Sequence, residues 1–203
     1  PKHAETASGD PHSIHKYDER RFLVALSDGM GSGDAARDVS ARTLSLLESF
    51  YKTGMPSDTV LATVNSLISF SAEESFSCLD LAAVNLDDGG ADIVKIGSPA
   101  GFLLSQEELK ILEGESLPIG ALDAVHPATM RLTMHENDFL LFMSDGISSA
   151  FGSSADLCAY LGGLRPLNPQ APAENVLAAA IARSEKGEAG HDMTVLAVKL
   201  TLA

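Results

Sequence analysis

Residues 27–33 read Ser-Asp-Gly-Met-Gly-Ser-Gly and follow directly on the apolar run Phe22-Leu23-Val24-Ala25-Leu26. A carboxylate and a glycine-rich turn therefore stand where a buried strand reaches the surface. Phe139-Leu140-Leu141-Phe142-Met143 runs in the same way into Ser144-Asp145-Gly146, and His191-Asp192 stands just before the strand-like Thr194-Val195-Leu196-Ala197-Val198. Acids at three strand ends imply one shared cation-binding edge. Oxygen-rich clusters of this kind suit hard divalent cations such as Mg²⁺ and Mn²⁺, which take few protein carboxylates and keep waters that a phosphate can displace. The glycines beside Asp28 and Asp145 let the backbone approach an ion closely, so that a peptide carbonyl can serve as a ligand. One Asp-Gly pair is an ordinary turn signal. Two Ser-Asp-Gly copies, each after an apolar strand, point to a site.

The frame that positions these acids is legible in outline. With 203 residues, 45% of them hydrophobic, the chain predicts a single domain over residues 1–203. Its abrupt start at Pro1-Lys2-His3 is what a catalytic fragment of a longer protein would show. No apolar stretch nears membrane-spanning length and no signal peptide is visible. Cys78 and Cys158 are too few for a disulfide framework or a structural zinc site; they read as small core residues of a cytoplasmic domain. The net charge of −14 argues against a nucleic-acid groove or an anionic membrane surface. It also requires that any phosphorylated substrate be met by bound cations.

Apolar spacings of three and four predict a helix over Asp34 to Tyr51, closed by Gly54 and Pro56. Ser57 or Asp58 then caps a second helix whose apolar face is Val60, Leu61, Val64, Leu67 and Ile68, and Ser71 to Ser75 forms a polar hinge after it. The middle reads as strands at 77–86, 91–96, 101–104, 109–112, 128–134 and 138–144, mostly joined by hairpins. Two more helices are predicted at Ser154 to Leu161 and Ala173 to Ser184, with Pro166, Pro169 and Pro172 in the loop between them. Helix pairs around hairpin-connected strands indicate an α+β fold of antiparallel sheets covered by helices.

Taken in order, Ala7-Ser8-Gly9-Asp10, Ser27-Asp28-Gly29-Met30-Gly31-Ser32-Gly33, Cys78-Leu79-Asp80-Leu81, Val94-Lys95-Ile96-Gly97-Ser98, Leu117-Pro118-Ile119-Gly120, Met143-Ser144-Asp145-Gly146-Ile147 and Asp192-Met193-Thr194-Val195 resemble a known pattern. It is that of the bacterial PPM metal-dependent protein serine/threonine phosphatases, above all the stage II sporulation protein E group. The resemblance implies a β-sandwich of two antiparallel sheets flanked by helix pairs (α-β-β-α), with two divalent cations, Mn²⁺ or Mg²⁺. Carried over position by position, Asp28 bridges both metals, the Gly29 carbonyl and Asp10 serve one, and Asp145 and the final acid hold the other. The family's reaction is in-line attack on phosphorus by metal-activated water.

Two positions depart from the pattern. The last metal-binding acid is replaced by His191, with Asp192 one place later. Either His191 ligates through imidazole, which would favour Mn²⁺, or Asp192 reaches in after a shift of the loop 187–190, or the site is weakened. Met30 stands where animal relatives carry a histidine proton donor.

The resemblance further implies a phosphoserine or phosphothreonine substrate on a regulatory protein, an anti-sigma-factor antagonist. It implies a first helix pair that acts as a switch and contributes to a homodimer, and a cytoplasmic domain of a membrane-anchored whole. A cysteine phosphatase would need an Arg six residues after its nucleophile; Cys158 has Leu164 there and Cys78 has Val84. The competing reading is a phosphatase-like module that binds a phosphoprotein or senses a ligand without turnover. Only His191 supports it. His3, His12 and His15 read as a solvated hairpin, and Asp80 as a buried acid satisfied by backbone in preference to one supporting the site.

Overall fold

The computed structural model describes residues 10–31, 33–70, 76–106, 108–164, 170–184 and 192–201. In chain order the elements are β1 (His12–Lys16), β2 (Arg21–Gly29), α1 (Gly33–Tyr51), α2 (Ser57–Ser69), β3 (Ser77–Asn85), β4 (Gly90–Ile96), β5 (Gly101–Leu104), β6 (Leu109–Leu112), β7 (Ala128–Thr133), β8 (Phe139–Met143), α3 (Asp145–Phe151), α4 (Ser154–Gly162), α5 (Gln170–Arg183) and β9 (Val195–Lys199). They form two compact units, one of Thr6–Ser98 with Gly114–Thr133 and one containing Pro99–Glu113 with Met134–Ala203.

The first unit holds an antiparallel sheet in the order β1-β2-β3-β4-β7. Alternate residues of its inner strands, Leu23, Ala25, Leu79, Leu81, Val94 and Ile96, share one face. They pack with Val39, Leu44 and Leu47 of α1 and Val60, Leu61, Val64 and Ile68 of α2 in one buried cluster. The helical stripes predicted from spacing are thus the packing surfaces. Leu67 is the exception: it is 45% exposed, because the stripe through residues 60, 61, 64 and 68 already fills the contact. The cap of α2 also differs from expectation. Pro56 occupies the cap position, and the Ser57 hydroxyl instead accepts a hydrogen bond from Tyr51 Oη at 3.1 Å. The expected hairpin at His12 and His15 is the β1–β2 pair.

The second unit holds a four-stranded antiparallel sheet, β6-β5-β8-β9. Phe102, Leu104, Phe139, Leu141 and Met143 pack with Ile147, Phe151, Leu157, Leu161, Val176 and Ala180 of α3, α4 and α5. Three helices stand here where the sequence reading has two. The additional one, α3, begins at Asp145 itself, so that Asp-Gly opens a helix and not a turn. Helix α5 starts at Gln170, ahead of the predicted 173, because Pro172 lies in its first turn, where no intrahelical N–H is required. Cys78 and Cys158 are outside any disulfide and only partly buried, where the sequence reading placed them in the core. The predicted hinge at 71–75 lies outside the described residues.

Candidate metal centre

In the first unit the acids are placed by strand register. β1 pairs with β2 so that His12 faces Leu26 and Ser13 faces Ala25, and Ser27 N–H donates to Pro11 C=O at 3.0 Å. The next step of that register sets Asp10 opposite Asp28. Their separation of 18 residues in the sequence is therefore what this hairpin requires of two acids meant to lie side by side. Asp28 is half-buried near the end of β2, opposite Cys78, and Asp10 is buried. Two carboxylates held this closely, one of them out of water, favour a cation between or beside them.

Gly29 ends β2, and packing against α1 is by itself a reason for a glycine there, beside the one read off the sequence. A Cβ at this position would lie 2.0 Å from the Ala36 carbonyl oxygen and 2.7 Å from Ser40 Oγ. It is the first turns of α1 that crowd Gly29, fixing its backbone against the helix. Gly29→Ala is accordingly expected to cost about 1–3 kcal/mol by overpacking, seen as a lower urea midpoint. A midpoint equal to the parent's would show that α1 does not hold Gly29.

The same sheet carries a buried charge pair that the sequence reading assigned differently. Asp80 is satisfied by side chains and not by backbone: the Lys95 ammonium pairs with its Oδ1, and Ser98 Oγ donates to the same oxygen at 2.8 Å. Leu26 faces Asp80 and Asp80 faces Lys95 across β2, β3 and β4, so this row lies on the face that bears Asp28, two residues along. Burial pushes the Asp80 carboxyl above the usual carboxylate range, against the opposing pull of Lys95 and Ser98.

In the second unit, Asp145 is the exposed first residue of α3, and Asp192 is buried in the segment leading to β9. Ser144 joins them. Its N–H donates to Thr194 C=O at 3.0 Å, its Oγ accepts from Thr194 N–H at 2.9 Å and donates to Asp192 C=O at 3.1 Å. This serine was not singled out in the sequence; the only signal was its recurrence before both Asp-Gly pairs.

In each unit the candidate donors are oxygens, from one buried and one accessible acid, with the Gly29 carbonyl beside the pair in the first, and such donors fit hard divalent cations and not thiophilic metals. Strand register sets Asp10 opposite Asp28, and Ser144, the residue before Asp145, is bonded to the Asp192 segment. Among the described residues no group of three or more His, Cys, Asp or Glu side chains is placed to hold a metal ion. His191 and the loop 187–190 lie outside the described residues.

A sequence model of the family described as Stage II sporulation protein E (SpoIIE) matches residues 18–201. The chain is 31% identical over 201 residues to stage II sporulation protein E of Priestia megaterium, covering 95% of this chain and 34% of that protein. It is 30% identical over 198 residues to the protein of that name from Bacillus subtilis (strain 168), covering 95% and 24%. It thus spans about a third and a quarter of these relatives. Among solved structures, the PP2C phosphatase domain of SpoIIE from Bacillus subtilis, with a fragment of its regulatory domain, superposes at a TM-score of 0.86 with 28% identity, over 95% of this chain and 58% of that one. RsbX in complex with magnesium superposes at 0.75 with 16% identity, over 98% and 91%, a likeness of fold.

Proposed function

This chain belongs to the stage II sporulation protein E family and has the fold of a PP2C phosphatase domain, and from that premise we propose that it hydrolyses phosphoserine or phosphothreonine on a regulatory protein, in a metal-dependent reaction. The observation that supports this reading is the register that sets Asp10 opposite Asp28 at the end of β2, next to Gly29. Neighbouring like charges are costly unless a cation or a proton offsets them, and a divalent cation does so while leaving both carboxylates as ligands.

Asp28 would hold both ions, Asp10 and the Gly29 carbonyl would serve one of them, and Asp145 with Asp192 or His191 the other. Bound Mn²⁺ or Mg²⁺ would supply the low pKa of an attacking water and neutralise charge on the transferring phosphoryl oxygens. The chain's own part is to hold these carboxylates in fixed positions. Met30, 54% exposed, has no proton to give, so it cannot serve as the proton donor to the departing serine oxygen.

The anti-sigma-factor antagonist as substrate, a dimer formed through α1 and α2, and membrane anchoring of a longer parent protein are parts of this proposal that rest on the relatives. Nucleic acid is no partner in it, given the net charge of −14. The test is hydrolysis of an aryl phosphate and of a phosphoserine protein with Mn²⁺, with Mg²⁺ and after chelation. Turnover with metal that vanishes on chelation is expected. Turnover indifferent to chelation, or none with either metal on either substrate, would overturn the reading.

A further inference from the structure

Ser144 occupies the N-cap position of α3, where a serine hydroxyl ordinarily accepts from the first-turn N–H groups of its own helix. Here it makes no such bond. Within the same unit Ser153 shows the ordinary behaviour, its Oγ accepting from Asp156 N–H at 3.1 Å at the start of α4. The Ser144 hydroxyl, 1% exposed, is spent on the other strand: it receives Thr194 N–H and donates to Asp192 C=O. A capping bond stabilises its helix, and forgoing it for a backbone link beside Asp192 needs a reason outside the helix.

The first unit uses the serine of its own Ser-Asp-Gly in a comparable way. Ser27 is fully buried, its Oγ lies 2.6 Å from Ser77 Oγ, and Ser77 Oγ stands 3.4 Å from the Asp28 carbonyl oxygen and 3.1 Å from that of Cys78. In both copies the residue before the acid puts a buried hydroxyl at the neighbouring strand or segment, at the level of the acid. Neither serine is needed for the turn.

We propose that Ser144 is a positioning residue for the metal acids of the second unit, clasping the Asp145 end of β8 to the Asp192 segment so that both carboxylates are held ready for one divalent cation. The proposal rests on the phosphatase reading above. It makes Ser144 part of the metal affinity, with no contact to substrate. Groups that orient metal ligands from behind typically change affinity by about 10–100-fold when removed.

The experiment is calorimetric titration of the whole chain with Mn²⁺ alone, no substrate present, for the parent, Ser144→Ala and Ser144→Thr, beside thermal melts of the metal-free proteins. Ser144→Ala should bind Mn²⁺ about tenfold or more weakly at one site. Ser144→Thr keeps the hydroxyl but adds a methyl in a packed place; it should melt lower yet keep near-parental affinity. The effect of Ser144→Ala should also shrink in an Asp192→Asn background, because the two changes act on one site. Affinity that follows melting temperature across the variants, or a Ser144→Ala titration equal to the parent's, would overturn the clasp. In the parent, exchange of the Thr194 amide should slow on adding Mn²⁺; unchanged exchange would count against it even if both variants failed to fold. A parent that binds no Mn²⁺ would instead overturn the phosphatase reading itself.

Discussion

Asp28→Asn and Asp145→Asn each lower Mn²⁺-stimulated phosphate hydrolysis by at least about a hundredfold, the loss expected when several kcal/mol of transition-state charge stabilisation disappears. Both substitutions are close to isosteric. Asp28 is half-buried and Asp145 exposed, so circular dichroism and thermal melting of the metal-free protein should stay near the parent's. Asp28→Asn should even melt slightly higher without metal, because the register places Asp28 opposite the buried Asp10 and the substitution removes their repulsion. Added Mn²⁺ should raise the parent's melting temperature more than that of either variant, since a ligand stabilises only the state that binds it. Near-parental turnover in either variant would show that its carboxylate holds no catalytic metal.

The elements built on periodic burial were readable, and the reason is local. The α1 stripe at Val39, Thr43 and Leu47 buries one face, so spacing alone reports it, while β3 and β4 are buried on both faces and show as short apolar runs bounded by turn residues. What escaped depends on partners distant in sequence. Nothing within Ala7-Ser8-Gly9-Asp10 marks a ligand; Asp10 was found by resemblance, and its physical reason is the pairing of His12 with Leu26. Helix α3 was hidden because Asp-Gly reads as a turn until Ser144 is seen at a cap position. Gly29 was assigned to metal approach, yet the atoms that would strike its Cβ belong to α1. Asp80 read as an isolated acid in an apolar strand because its cation stands on another strand, at Lys95.

That pair sets the second large expected effect. Lys95 and Asp80 are 0% and 1% exposed, so each has surrendered its hydration and depends on the other. Lys95→Met keeps the length of the side chain and removes the charge, leaving Asp80 buried with only the Ser98 hydroxyl donating to it. The expected loss is about 3–5 kcal/mol, the usual consequence of breaking a buried pair from one side, and a large share of the 5–15 kcal/mol typical of a folded protein. The loss should depend on pH. Burial already holds the Asp80 carboxyl above its ordinary range, and Lys95 is the larger of the two influences pulling it back. Without Lys95 the carboxyl rises further, so it protonates on folding over a wider span. A raised carboxyl favours the folded state at acid pH and loses that advantage as pH climbs toward its folded value. Lys95→Met should therefore recover stability relative to the parent as pH falls from neutral toward the ordinary carboxylate range. The double change Asp80→Leu with Lys95→Met removes both charges, leaves Ser98 Oγ its bond to the Leu79 carbonyl at 3.2 Å, and should return stability to the parental level or above it. Urea melts across pH for the parent, the single variant and the double variant measure all three expectations. A single variant as stable as the parent, or one whose deficit grows on acidification, would mean that Lys95 does not carry the burden of keeping Asp80 charged inside the sheet.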